Sequence, residues 1–183
     1  MLPVGPLMVE HRLIERMIRI MAAQLGIIQI EKKADPVRVE EIVRFFQDFA
    51  DRCHHGKEED ILFRELDRKG ISPEHRRMMD ELIADHKWGR QLTISLSEAN
   101  QRYQKGEAGV LLAIADGFRR LIEFYPKHIR KEYRGFFLPI MSYFNREEKE
   151  VMIREGYESD SRLLHEEHEK LVAELSGGVS TPR

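Results

Sequence analysis

The chain has 183 residues, 34% of them charged and 42% hydrophobic, and its 30 Lys and Arg nearly balance its 32 Asp and Glu. This composition is typical of one soluble helical domain and excludes a disordered or fibrous chain. Because there is neither a basic excess nor a long apolar run, we expect no nucleic acid and no membrane among its partners. A single cysteine, Cys53, cannot form an internal disulfide, which predicts a cytoplasmic location.

Turn signals rich in Gly and Pro divide the chain into long segments with helical periodicity. The predicted helices span roughly 6–31, 37–68, 73–104 and 108–134. Gly135 and Pro139 bend or interrupt the last helix before it ends near Phe144. Four long helices joined by short loops predict an all-α, up-down-up-down antiparallel four-helix bundle over residues 1–144.

Shorter helices are predicted after the bundle, around 145–155 and 161–175. We expect residues 145–176 to form a helical extension packed on the same domain, followed by a flexible tail at 177–183.

Each long helix carries one histidine on its apolar stripe. These are His11, His54, His86 and His128, and the glutamates Glu58 and Glu132 follow two of them by four residues. At a rise of about 1.5 Å per residue from the loops, the four histidines fall at about one level of the bundle. His55 and Glu59 have charged residues at helical spacing, and we interpret them as surface residues.

Burial of six titratable groups is costly unless something compensates their charge. Four imidazoles and two carboxylates that converge in an apolar bundle predict a dinuclear metal site suited to iron, manganese or zinc. The carboxylates can bridge two cations and cancel part of their charge.

The segments "EHRLIE", "HHGKEEDILF", "DHKWGR" and "HIRKEYRGFFLP", in this order and spacing, resemble the hemerythrin-like family of HHE cation-binding domains over roughly residues 5–142. The resemblance implies a hemerythrin-like bundle with two iron ions (Fe2+/Fe3+), for which zinc or manganese could substitute. The implied ligands are His11, His54, Glu58, His86, His128 and Glu132, with both glutamates bridging. Arg90 and Tyr133 stand where oxygen-carrying members have a histidine and an aspartate, so the resemblance is to a divergent branch with six protein ligands.

The implied function is binding of, or reaction with, O2, peroxide or NO at the di-iron centre. Two alternatives remain open: a sensor of iron, oxygen or redox state that acts through a partner protein, and iron storage or delivery for iron–sulfur cluster repair. Whether the chain is an enzyme, which metal it holds and its oligomeric state are left open by the sequence.

Several residues near the predicted ligands are weighed for supporting roles. Tyr125 could donate a hydrogen bond to a bound ligand, although a core aromatic residue is the preferred interpretation. Glu10 and Asp85 could orient imidazoles, although exposed helix charges are the preferred interpretation. His165 and His168 are interpreted as part of a docking helix rather than as ligands.

Overall fold

Helices make up nearly all of the computed structural model, which describes residues 2–159 and 162–177. The first two long stretches are α1 (Val4–Glu31) and a composite helix of α2 (Pro36–Arg44), π1 (Phe45–His55), π2 (Glu58–Phe63) and α3 (Arg64–Asp67). The other two are α4 (Pro73–Gln104) and a composite of α5 (Val110–Lys131), π3 (Glu132–Phe136) and α6 (Phe137–Ile140), which ends in the 3-10 turn Met141–Tyr143. Then follow α7 (Arg146–Ser159) and α8 (Arg162–Gly177). In the three π segments, backbone N–H groups bond to the carbonyl five residues earlier, instead of four as in an α-helix.

The ends of the long helices have local causes in the sequence. Asp35 caps α2 by accepting hydrogen bonds from two backbone N–H groups, and Ser72 caps α4 by accepting one from the N–H of His75. A proline follows each cap, where its missing N–H costs nothing. Gly109 has a φ of 80°, a left-handed conformation that glycine adopts without strain, and it precedes α5.

The four long stretches pack as the predicted up-down-up-down bundle, with α5 between α1 and α4 and with α2 against α4. The fold class predicted from the sequence is therefore confirmed, and the helix bounds agree to within a few residues. The regular α-helix expected over 37–68 is wrong in one respect, because most of its second half is π-helical.

The apolar core consists of two clusters, one towards each end of the bundle. The larger contains Ile14, Ala50, Leu92 and Ile129 among others, and the smaller contains residues such as Leu7, Ile61, Leu82 and Phe136.

A buried polar layer separates the two clusters. On α1, His11 follows Leu7 of the smaller cluster and precedes Ile14 of the larger one, and the other long stretches cross the boundary at their own buried His and Glu residues. The bundle therefore places a buried polar layer at its middle.

The C-terminal helices contact the bundle at different places. α7 packs on π2, whereas α8 packs on α1 and π1 and buries Val172 and Leu175. Of the predicted flexible tail, residues 178–183 lie outside the described part of the chain. Within that part, no helix combines the length and apolar content needed to cross a bilayer.

Candidate metal centre

All six predicted ligand residues lie in the polar layer, and each is at most 3% exposed. They come from every long stretch of the bundle. His11 is on α1, His54 on π1, Glu58 on π2, His86 on α4, His128 on α5 and Glu132 on π3. Two carboxylates that are fully buried beside four imidazoles make an arrangement whose charge needs compensation.

His55 is a seventh member of this layer, and its interpretation as a surface residue is wrong. Its side chain is 1% exposed, and its ring stacks on that of His86 with centroids 4.0 Å apart. The cause is π1, because its i→i+5 turns rotate the chain less per residue than an α-helix does. The face that continues from Phe45 therefore includes both His54 and His55. In the sequence, the only sign that His55 could reach the centre was its position directly after His54.

The donor atoms form two groups in which all atoms lie within 4.8 Å of one another. The first group is His55, Glu58, His86 and His128, and the second is His11, His54, Glu58 and Glu132. Because Glu58 belongs to both, the two groups adjoin.

Each buried carboxylate faces histidines of both groups with its two oxygens. Glu58 Oε1 lies 3.2 Å from His54 Nε2, and its Oε2 lies 3.1 Å from His86 Nε2. Glu132 Oε2 lies 3.0 Å from His11 Nε2, and its Oε1 lies 3.0 Å from His128 Nε2. A carboxylate that bridges two cations needs this arrangement.

The donor atoms at the centre have unused hydrogen-bonding capacity. Within the described residues, the Nε2 atoms of all five histidines and both oxygens of Glu58 and Glu132 are buried without a hydrogen-bond partner. The N···O pairs between these atoms are 3.0–3.2 Å apart, but their angles do not allow a hydrogen bond. Since each unsatisfied buried group costs about 1–3 kcal/mol, the convergence of nine of them indicates a site built for cations. The nitrogen and oxygen donors also suit iron, zinc and manganese.

Comparison with protein-family models matches residues 2–138 to the hemerythrin HHE cation-binding domain. The chain belongs to this family. Comparisons with curated proteins and with solved structures give no further match. HHE domains bind metal cations, commonly iron, which agrees with the buried His and Glu donors of this chain.

Outer carboxylates orient three histidines of the HHE domain. His54 Nδ1 donates to Glu10 at 2.8 Å, His86 Nδ1 donates to Glu59 at 2.7 Å, and His128 Nδ1 donates to Asp85 at 3.4 Å. Because a carboxylate only accepts, each Nδ1 carries a proton, and in a neutral ring the lone pair is then on Nε2, towards the centre.

The preferred interpretation of Glu10 and Asp85 as exposed charges is therefore wrong. Glu10 is 4% exposed, and Asp85, though partly exposed, contacts His128. Glu59 was also expected at the surface, yet it is only partly exposed and accepts a hydrogen bond from His86 Nδ1. Nothing in the helical periodicity marks these three residues, because they reach imidazoles of other helices.

Electrostatics distinguish His55 from its neighbours. Burial alone would lower the pKa of His54, His86 and His128, but the nearby carboxylates raise these values to about 10, about 11 and about 9. Burial, together with the charges of His86 and His54, holds the pKa of His55 well below its usual range. Burial opposes ionisation of Glu132, but His128 and His11 hold its pKa well below the usual value. The carboxylates therefore favour the protonated form of His54, His86 and His128 in the metal-free HHE domain.

Apolar and aromatic side chains enclose the centre of the HHE domain. Phe137 stacks on His11, Phe63 on His86 and Phe124 on His128, with centroids 5.4–6.0 Å apart.

A cleft approaches the centre from the side of His55. Its lining includes Asp51, His55, Glu59, Arg90 and Tyr125. Arg90 forms ion pairs with Asp51 at 2.5 Å and with Glu59 at 2.6 Å across the cleft. Tyr125 is 2% exposed, and its ring lies parallel to that of His55 at 6.4 Å.

The remaining histidines lie outside the layer. His168 lies on the buried face of α8 near Phe45 and Phe49, and His75 bonds to Tyr143 near the start of α4. His165 is partly exposed and approaches Glu10 and Cys53.

Proposed function

We propose that the chain is a non-haem di-iron protein that binds or reacts with O2, peroxide or NO at a carboxylate-bridged centre. The observation that carries this proposal is the position of Glu58 and Glu132, each facing histidines of both donor groups. The unpartnered donor atoms and the family's cation-binding character support it.

The proposed ligands are the six residues expected from the sequence together with His55. One ion would take donors from His55, His86 and His128, and the other from His11 and His54. Glu58 and Glu132 would be shared. Five imidazoles and two carboxylates suit iron, and zinc or manganese could occupy the same donors.

Two iron ions held in this way would supply electrons to small oxidants. The protein's own part is to keep the imidazoles in one orientation and one tautomer. Glu10, Glu59 and Asp85 do this by holding the Nδ1 protons of His54, His86 and His128. Such outer partners typically contribute 10–100-fold to metal affinity or activity.

Access to the centre is proposed through the cleft beside His55. The ion-paired side chains of Arg90, Asp51 and Glu59 line this cleft. Burial and the Asp51 charge raise the pKa of Tyr125, so its Oη keeps its proton and can donate it in a hydrogen bond to a ligand.

The test is to load the purified chain with ferrous iron without oxygen, count bound iron, and then titrate with O2, peroxide or NO. About two irons per chain are expected, together with a spectroscopic change that saturates with the oxidant. Folded protein that binds no iron would contradict the proposal. Two irons without any response to the three oxidants would limit it to cation binding.

A sensing role is a second candidate, favoured by one contact. Glu10 bonds His54 of the centre through Oε2, and its Oε1 lies 3.4 Å from His165 Nε2 on α8. A change of charge at the centre would therefore alter the electrostatic interaction between Glu10 and His165 on α8. A partner protein could bind α8 according to that change. Iron-dependent hydrogen exchange confined to α8 would support this role, whereas uniform exchange would count against it.

A further inference from the structure

A second cluster of metal-binding side chains lies outside the dinuclear centre, where α1, π1 and α8 meet. Its members are Glu10, Cys53 and His165, whose donor atoms all lie within 4.8 Å of one another. His165 Nε2 lies 3.5 Å from Cys53 Sγ and 3.4 Å from Glu10 Oε1. One imidazole nitrogen thus faces both a thiol and a carboxylate.

These distances match the edges of a zinc tetrahedron. With a Zn–S bond of about 2.3 Å and Zn–N and Zn–O bonds of about 2.0–2.1 Å, tetrahedral angles give an S···N edge of about 3.5 Å and an N···O edge of about 3.4 Å. The two separations from His165 Nε2 agree with these values, and the donor atoms of Cys53 and Glu10 lie within 4.8 Å of each other. The positions of both partners of His165 are therefore compatible with one cation bound by all three donors.

We propose that Glu10, Cys53 and His165 form a third cation site. The site suits a divalent ion of intermediate softness, such as zinc. Thiolate, imidazole and carboxylate are the three ligand classes that zinc takes in proteins. Two of the three residues come from the bundle and one from α8, so a bound ion joins α8 to the bundle.

Lys57 is the built-in competitor of this site. Its Nζ contacts Glu10 Oε1, the same oxygen that faces His165, and the side chain is 8% exposed. A divalent cation would replace the ammonium charge beside Glu10. Removing that charge with Lys57→Met should therefore tighten binding at the third site.

Cobalt is the probe for the test, because it replaces zinc and gives a near-ultraviolet charge-transfer band when bound by thiolate. Cys53 is the single cysteine, so any such band reports this site alone. The purified chain is titrated with Co2+ as wild type and as Cys53→Ser, His165→Gln and Lys57→Met. His86→Ala is the matched control, since it removes a donor of the dinuclear centre only.

We expect the band in wild type and in His86→Ala, its loss in Cys53→Ser, its weakening in His165→Gln, and saturation at lower Co2+ in Lys57→Met. Absence of the band from folded wild-type protein at saturating Co2+ would overturn the proposal. A band that His165→Gln leaves unchanged would also overturn it. X-ray absorption of the zinc-loaded wild type, which needs no variant, should show a sulfur contribution at about 2.3 Å, averaged with the zinc ions that the dinuclear centre also takes up. Its absence would have the same meaning, and neither result depends on the dinuclear centre.

Discussion

Glu58 lies between His54 and His86, with Oε1 3.2 Å from one Nε2 and Oε2 3.1 Å from the other. The same carboxylate is fully buried, and neither oxygen has a hydrogen-bond partner among the described residues. A single side chain therefore connects the two donor groups, which is why it is the most informative position to change.

Glu58→Gln should lower bound iron from about two ions per chain to about one or none. The amide has the same shape but lacks the charge and the second anionic oxygen, so it cannot bridge. Iron content after anaerobic loading and gel filtration measures the effect. Glu74→Gln, an exposed change in the first turn of α4, is the control and should leave iron content unaltered. Retention of two tightly bound ions in Glu58→Gln would refute a bridging role.

His55→Ala should weaken iron binding at least about 10-fold. Loss of an outer partner of a ligand typically costs 10–100-fold, and loss of a ligand should cost no less. His75→Ala is the control, because His75 lies outside the layer and bonds to Tyr143. Iron affinity by competition with a chelator, with helicity checked by circular dichroism, makes the comparison. Equal iron affinity in the two variants would show that His55 packs in the layer without binding metal.

Glu10→Gln should lower iron affinity by about 10–100-fold while leaving the fold intact. The glutamine oxygen can still accept from His54 Nδ1, but without the charge that increases the basicity of Nε2. Asp85→Asn should have a smaller effect, because its contact with His128 is longer, at 3.4 Å, and more exposed. Exposed Glu15 on α1 supplies the control variant Glu15→Gln. The reverse order of Glu10 and Asp85 would contradict the assigned geometry.

The metal-free protein should lose stability progressively as pH rises from about 6.5 towards the folded-state values of about 9 to 11. Neighbouring carboxylates raise the folded-state pKa of His128 to about 9, of His54 to about 10 and of His86 to about 11. Groups with a raised pKa stabilise fully below their unfolded value of about 6.5 and cease to do so above the folded value.

Thermal melts of the metal-free and metal-loaded protein at pH 7 and pH 10 test this pH dependence. The midpoint of the metal-free protein should fall more than that of the loaded protein, in which cations replace the imidazolium protons. Metal uptake at pH 7 should also release protons, measurable by calorimetry in buffers of different ionisation enthalpy. Uptake without proton release would show that the histidines are neutral before the metal binds.

Local periodicity was enough to predict the bundle and the meeting of six of its buried residues. Apolar spacing placed His11, His54, His86 and His128 on inward faces, and helix length placed them at one level. Both properties depend on the regular rise and rotation of a helix, which the sequence determines locally.

Only the tertiary structure decided the remaining features. His55 turns inward because π1 changes the rotation per residue. The α-helical spacing that assigns faces from the sequence does not include that change. Glu59 and Asp85 act on imidazoles of other helices, and His165 meets Glu10 and Cys53 only because α8 docks on α1 and π1. These contacts depend on the relative positions of separate helices. Packing of the whole chain sets those positions, whereas the spacing of residues within one segment does not.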